Sequence, residues 1–312
     1  MLANLPRKLV DQPHLLLVLT TLFWAGNGIA GKFALGHVTP MVLTFSRWVF
    51  AIVIVCYVAR KPLRDDWKII RKHIPYLLIM GAAGFTGFNV LFYSALQYTS
   101  VINAAIEQAA LPLVIFVANL VLFHIAIRWL QIVGFGLSLI GVLITISGGD
   151  WTALVHLQLN RGDALMLAAI LCYAGYAVAL RNKPDLHWMS FFACLVTGAF
   201  IASIPAAIFE TVRGDAIWPT TLQGFLVVLY AGIFPSILSQ SFYIRGTEKL
   251  GANRAGMYIM LVPFFGVFLA VMLLGEAFQL HDALALVLVT GGVFMAQKAG
   301  PRVTTPAAAN DG

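Results

Sequence analysis

The chain has 312 residues, of which 60% are hydrophobic and 11% charged, and its formal net charge is +7. Water-soluble domains carry about a quarter charged residues, so this composition excludes a soluble globular protein and requires lipid as solvent. The positive balance does not indicate nucleic acid, because the basic residues sit in short loops between apolar runs, where they set membrane orientation.

Taking about 20 apolar residues as one crossing, the sequence divides into ten spans, at roughly 15–35, 41–59, 75–96, 100–123, 128–147, 162–181, 187–209, 221–243, 252–274 and 281–298. The opening MLANLPRKLVDQPH places Arg7 and Lys8 ahead of the first span in the manner of a signal peptide. The apolar run behind them is long, lacks a small-residue cleavage site and precedes nine more spans, so it reads as an anchor that stays. Residues 299–312 are small and polar and are expected to form a disordered cytoplasmic tail. Cys56, Cys172 and Cys194 fall within spans without metal-ligand spacing and read as small buried hydrophobes.

Lysine and arginine split sixteen to two between alternate sides, with Arg161 and Arg213 alone on the poorer side and Lys32 and Arg47 inside spans. All the loops are short, so the bias places both termini in the cytoplasm of a multi-pass inner-membrane protein. Trp129, Trp151, Trp188 and Trp218 lie near span ends, as an aromatic belt requires.

The chain also repeats itself. FWAGNGIAGK (Phe23 to Lys32) lies over CYAGYAVALR (Cys172 to Arg181), and Phe92–Tyr93 over Phe242–Tyr243. Pro112, Leu122, Ala126, Leu137, Gly141 and Val142 then meet Pro263, Leu273, Ala277, Leu288, Gly292 and Val293. Each half holds five spans, an odd number, so the second half enters the membrane inverted relative to the first. The fold class expected is an all-α membrane protein, with repeats at 15–147 and 162–298.

FWAGNGIAGKFAL with Pro40 and Arg47, Gly162–Asp163, FYIRGTEKLGANRAG, Pro263 and LLGEAF together resemble the EamA family of the drug/metabolite transporter superfamily. The resemblance covers nearly all of residues 15–298. One departure is the first-half counterpart of LLGEAF, which is LFHIAI, with His124 and Ile125 in place of Gly-Glu. The resemblance implies a ten-helix carrier that exports small metabolites, often amino acids or drugs, through a cavity between the repeats.

Polar residues within the spans mark the candidate pathway, since charged and polar groups are expensive in lipid. Trp24, Asn27 and Gly31 share a face of the first span, Asn89 and Tyr93 of the third, and Tyr173 and Tyr176 of the sixth. Ser236, Ser239, Gln240 and Tyr243 form a polar stripe in the eighth, which cannot face lipid. In TSVINAAIEQAALP, Asn103 and Glu107 share a face beside Gln108. Glu107 reads either as a substrate-ammonium or proton site, or as the buried partner of Arg47 in a structural ion pair. Lys32 reads as a snorkelling side chain or an attractor of substrate carboxylate at the pathway mouth. Pro112, Pro235 and Pro263 read as fixed kinks or as hinges. Gly134, Ser138, Gly141, Gly291 and Gly292 read as close-packing positions.

Asparagines and tyrosines around broad apolar walls suit an amphipathic small molecule. The reading is therefore a transporter exporting small metabolites, amino acids first, by alternating access, with multidrug efflux as the rival. No HExxH, nucleophile elbow or P-loop supports a membrane-embedded enzyme, and no cofactor is expected. The expected partners are the small-molecule substrate and the lipid bilayer, with no nucleic acid.

Overall fold

The computed structural model describes residues 12–123, 128–150, 160–250, 255 and 258–298. Among them every regular element is helical. Nine helices are long and apolar enough to cross a membrane. They are α1 (Pro13–Phe33), α2 (Pro40–Asp65), α3 (Ile74–Ala95), α4 (Val101–Phe123), α5 (Trp129–Ile146), α6 (Arg161–Asn182), α7 (Trp188–Val212), α8 (Leu222–Leu250) and, after a shorter α9 (Leu261–Leu274), α10 (Leu280–Lys298). The residues ahead of α9 include 251–254, 256 and 257, which lie outside those described, as do His124, Ile125, Trp151, Arg7, Lys8 and the tail.

Local chemistry sets the helix starts. Proline occupies the first turn of α1, α2 and α3, where its missing N–H is no loss. Ser100, Asn160 and Thr221 accept backbone N–H bonds at the starts of α4, α6 and α8. α2 runs six residues past its expected end at 59, through RKPLRD, because hydropathy marks where apolar side chains stop and not where backbone hydrogen bonding stops.

The helices alternate in direction, giving the bundle two ends. The near end holds the start of α1 and the end of α10, and the far end holds the α1–α2 and α3–α4 turns. Trp129 and Trp188 open α5 and α7, and Trp218 precedes α8. Large apolar side chains point outward along the flanks, among them Val53, Tyr57, Val121, Leu122, Met272 and Val287, as a lipid-facing surface requires.

Among the described residues, four of the irregularities in the helices form repeat-related pairs, and a further π-helical stretch, Ala270–Leu274, ends α9. α3 passes through a π-helical stretch at Ala82–Gly87, and α8 through another at Phe234–Leu238. α4 is interrupted at Ala110, and its repeat partner begins anew at Leu261 after Met260. Pro112 and Pro263 therefore sit in the first turn of a resumed helix, where proline is tolerated. Pro235 lies within the π stretch of α8. Side chains take up carbonyls there: Asn89 Nδ2 donates to Phe85 O, Ser236 Oγ to Ala231 O and Ser239 Oγ to Phe234 O. Inside a membrane such backbone is tolerated only where partners replace water.

α5 and α10 pack closely because glycine faces backbone on both. A Cβ on Gly134 would lie 2.4 Å from Gly292 O, and one on Gly292 would lie 2.3 Å from Gly134 O. Ser138 Oγ donates to Val289 O across the same seam. Gly141 also meets α10, whereas Gly291 faces open space and has no part in the packing. Gly292→Val should destabilise the protein by about 3 kcal/mol or more through overpacking, whereas Gly291→Ala should be close to neutral, as read by thermal unfolding of the protein purified in detergent.

Candidate functional site

A cavity of about 430 Å³ lies in the middle of the bundle, lined by α1, α2, α3, α4, α6, α8, α9 and α10. It runs toward the near end, where Leu180, Ile259 and Gln297 line it. No residue of the α1–α2 or α3–α4 turns lines it.

Arg47 is the one charged residue on its described wall. Arg47 is 3% exposed, and its guanidinium is held by neutral groups from three other helices. Nε and Nη2 donate to Ser236 Oγ of α8 at 3.1 and 2.7 Å. Nη1 donates to Tyr93 Oη at 2.6 Å, to Asn89 Oδ1, and to Asn27 Oδ1 at 3.4 Å. Three of the four acceptors are oriented in turn, because their own donors are engaged elsewhere. Tyr93 Oη donates to Asn27 Oδ1 at 2.7 Å, Asn89 Nδ2 to Phe85 O at 2.6 Å and Ser236 Oγ to Ala231 O at 2.8 Å. Asn89, just after the π stretch of α3, and Ser236, within that of α8, thus reach one cation. The indole of Trp48 lies 5.0 Å from the guanidinium carbon and the Tyr93 ring 5.8 Å, both within cation–π range.

The ion pair expected between Arg47 and Glu107 is not formed. Arg47 bonds the neutral groups just named, and neither carboxyl oxygen of Glu107 has a hydrogen-bond partner. The two residues lie at matching depth, but Glu107 turns to the side of α4 opposite the cavity, while Ala105, Gln108 and Ala109 line it. An arginine with no carboxylate partner among the described residues leaves a net positive charge on the cavity wall.

Aromatic rings supply most of the remaining surface. Trp24 packs on Tyr243 at 5.5 Å between centroids, Tyr173 on Tyr176 at 5.3 Å and on Phe88 at 5.4 Å, and Trp48 stacks on Phe85 at 5.4 Å. Asn27, Asn89, Gln108 and Gln240 provide the neutral polar groups. The expected pathway residues therefore divide. Trp24, Asn27, Asn89, Gln108, Tyr173, Tyr176, Gln240 and Tyr243 line the cavity. Tyr93 and Ser239 are buried behind it, Ser239 accepting from Thr20 Oγ1 through its carbonyl. Asn103 stays half-buried near the far end, and Lys32 lies there too, beside Glu276. Trp48, Phe85, Phe88 and Phe92 were not foreseen on the wall, since a ring facing a cavity and a ring facing lipid look alike in an apolar span.

The far end is sealed between the two halves of the chain. Glu276, after α9, accepts from Val101 N and Ile102 N at 2.9 and 3.0 Å, capping the start of α4. Glu210, near the end of α7, accepts from Thr39 Oγ1 and Val42 N at 2.6 and 3.0 Å, capping the start of α2. A carboxylate at a helix N-terminus meets unpaired N–H groups and the positive end of the dipole. Gln223 Nε2 adds a bond to Phe33 O, and Asn160 Nδ2 one to Tyr98 O.

A family model described as the EamA-like transporter family matches residues 12–147 and again 160–297. The uncharacterized transporter YyaM of Bacillus subtilis (strain 168) is 22% identical over 289 residues, covering 91% of this chain and 92% of that protein. A protein of Chlamydia trachomatis serovar L2 named S-adenosylmethionine/S-adenosylhomocysteine transporter is 23% identical over 277 residues, covering 86% of this chain and 84% of its own. A solved crystal structure superposes with a TM-score of 0.62 at 19% identity, covering 93% of this chain and 97% of that one, which supports the fold.

Tyr93→Phe removes a buried hydroxyl that accepts from Arg47 and donates to Asn27, and should lower stability by about 1–3 kcal/mol. Thermal unfolding in detergent reads this, and an unchanged midpoint would mean that the network does not hold the guanidinium.

Proposed function

The chain belongs to the EamA-like transporter family, a multi-pass membrane transporter, and on that premise we propose that it exports amino acids or amino-acid-bearing metabolites by alternating access. The observation that carries this reading is Arg47, a buried cation on the cavity wall whose described partners are all neutral. A substrate carboxylate supplies the missing counter-charge, and a guanidinium bonds a carboxylate with charge-assisted hydrogen bonds. The neutral amides nearby suit an ammonium group, and the rings of Trp24, Tyr173, Tyr176 and Tyr243 suit the substrate's apolar part.

A volume of about 430 Å³ falls at the small end of the ligand-pocket range. The name of the Chlamydia trachomatis relative fits the same reading, since S-adenosylmethionine is an amino-acid derivative. Efflux of cationic drugs is disfavoured, because the charge that lines the cavity has the same sign as theirs.

In this reading the near end is cytoplasmic, as the basic loops require, and the cavity receives substrate from that side of the inner membrane. Release follows when the caps at Glu210 and Glu276 part and the near end closes. The two five-helix repeats, 15–147 and 162–298, rock against each other, with Pro112, Pro235 and Pro263 at the points of flexion.

Counterflow in liposomes with a panel of labelled amino acids and cationic aromatic drugs tests the assignment. Saturable exchange of amino acids is expected, and Arg47→Gln should weaken it about 10- to 100-fold, the equivalent of one charged hydrogen-bonding group. Exchange of the drugs alone, or amino-acid exchange unchanged in Arg47→Gln, would overturn the assignment.

A further inference from the structure

Behind the cavity wall the structure holds a second polar cluster that substrate handling does not use. Glu107 is fully buried, and its carboxyl faces that of Asp163 in the first turn of α6. The Thr99 hydroxyl, on the turn before α4, faces Asp163 from the other side. Gly162 brings α6 close to this turn, since a Cβ there would lie 2.7 Å from Thr99 Cβ. Among the described residues, seven buried side-chain N or O atoms lack a hydrogen-bond partner. Four of them are here: Glu107 Oε1 and Oε2, Asp163 Oδ1 and Thr99 Oγ1. Asp163 and Thr99 are only 2% and 5% exposed.

More than half of these unpartnered atoms converge on this one place, and a buried polar cluster of that kind calls for a partner. Two carboxylates in contact inside a low-dielectric protein repel each other strongly, and a protein that buries such a pair supplies a positive charge. None comes from the described residues. Around this part of α4 pack α1, α5, α6, α9 and α10, and Asp163 is the titratable group from them that faces Glu107. Lys32 of α1 faces Glu276, and Asp282 of α10 accepts from Gln279 N and lies beside His281. Arg47 is occupied on the other side of the wall.

We propose that Glu107, Asp163 and Thr99 form a binding site for a monovalent cation, a proton or a sodium ion, occluded in this conformation. The oxygens match both ligands: a proton bridges the two carboxyls with the hydroxyl donating to the remaining charge, and sodium takes the same oxygens as ligands. The N-terminus of α6 also faces this charge and stabilises what the cation leaves over. The site is about 9 Å along α4 from the start that Glu276 caps, at 1.5 Å per residue, so parting of that cap exposes it to the far side. The adjacent Gln108 lines the cavity, which places ion and substrate on two faces of one helix. Ion occupancy is thereby linked to closure of the far end.

Infrared spectra of the full-length protein in lipid, at neutral pH without sodium, test the site independently of any substrate. A proton ligand gives a protonated-carboxyl band at neutral pH that is lost in both Glu107→Gln and Asp163→Asn and retained in Asp185→Asn, on an exposed loop. A sodium ligand gives instead a band that adding sodium, but not potassium, removes, together with a sodium-specific upward shift of the unfolding temperature, both absent in the two site variants. No protonated-carboxyl band and no sodium-specific shift in the unmodified protein would overturn the proposal, and would leave the substrate assignment untouched.

Discussion

A buried guanidinium that no carboxylate among the described residues meets is the constraint on which the rest of this structure depends. Removing a charge from water costs several kcal/mol unless hydrogen bonds and a counter-charge replace the solvent. The protein supplies the hydrogen bonds and omits the counter-charge. To supply them it must bring Asn27, Asn89, Tyr93 and Ser236 to one point from three helices. Two of those residues are aimed by π-helical stretches at corresponding places in the two halves. Backbone irregularity, often a sign of function in helices, here has a specific task, which is to turn two short polar side chains toward Arg47.

The second organising feature is asymmetry between the ends. At the far end, carboxylates from the second half of the chain cap helix starts in the first half, Glu210 on α2 and Glu276 on α4. Toward the near end the cavity continues between Leu180, Ile259 and Gln297. Each cap joins the halves through groups that water can replace, so the far end is held by bonds that are readily exchanged. The seam of α5 and α10 is different, because glycine on backbone leaves no room for an alternative register. The bundle therefore combines a rigid glycine seam with a separable polar lid.

The architecture was legible in the sequence because hydropathy, loop charge and the internal repeat all bear on the same quantity, the passage of each segment through lipid. Span limits followed within a few residues, except in α2 and α8, where the helix continues past its apolar part, and at the start of α9, which opens at Leu261. The cavity was half legible. Residues such as Trp24, Asn27 and Gln240 announced themselves as polar or amphipathic groups at helical spacing, and the structure places them on the wall. Phe85, Phe88 and Phe92 carried no such signal. The pairing of Arg47 with Glu107 failed because depth in the membrane is readable from spacing, whereas azimuth around a helix is decided by packing. Glu107 turns toward α6, and its neighbour Asp163 appeared in the sequence only as the residue after Gly162 at a helix start. Contacts of that kind, between halves of the chain and across long sequence separations, leave no local pattern to read.

The most direct test of the central claim is the affinity of the purified protein for an amino acid that it exchanges, compared with the carboxamide of the same molecule, by calorimetry at one pH. If Arg47 receives the substrate carboxylate, the amide binds about tenfold or more weakly, because one charge-assisted contact has been reduced to a neutral one. Equal affinities for acid and amide would contradict the account, and would mean that the guanidinium serves the fold alone.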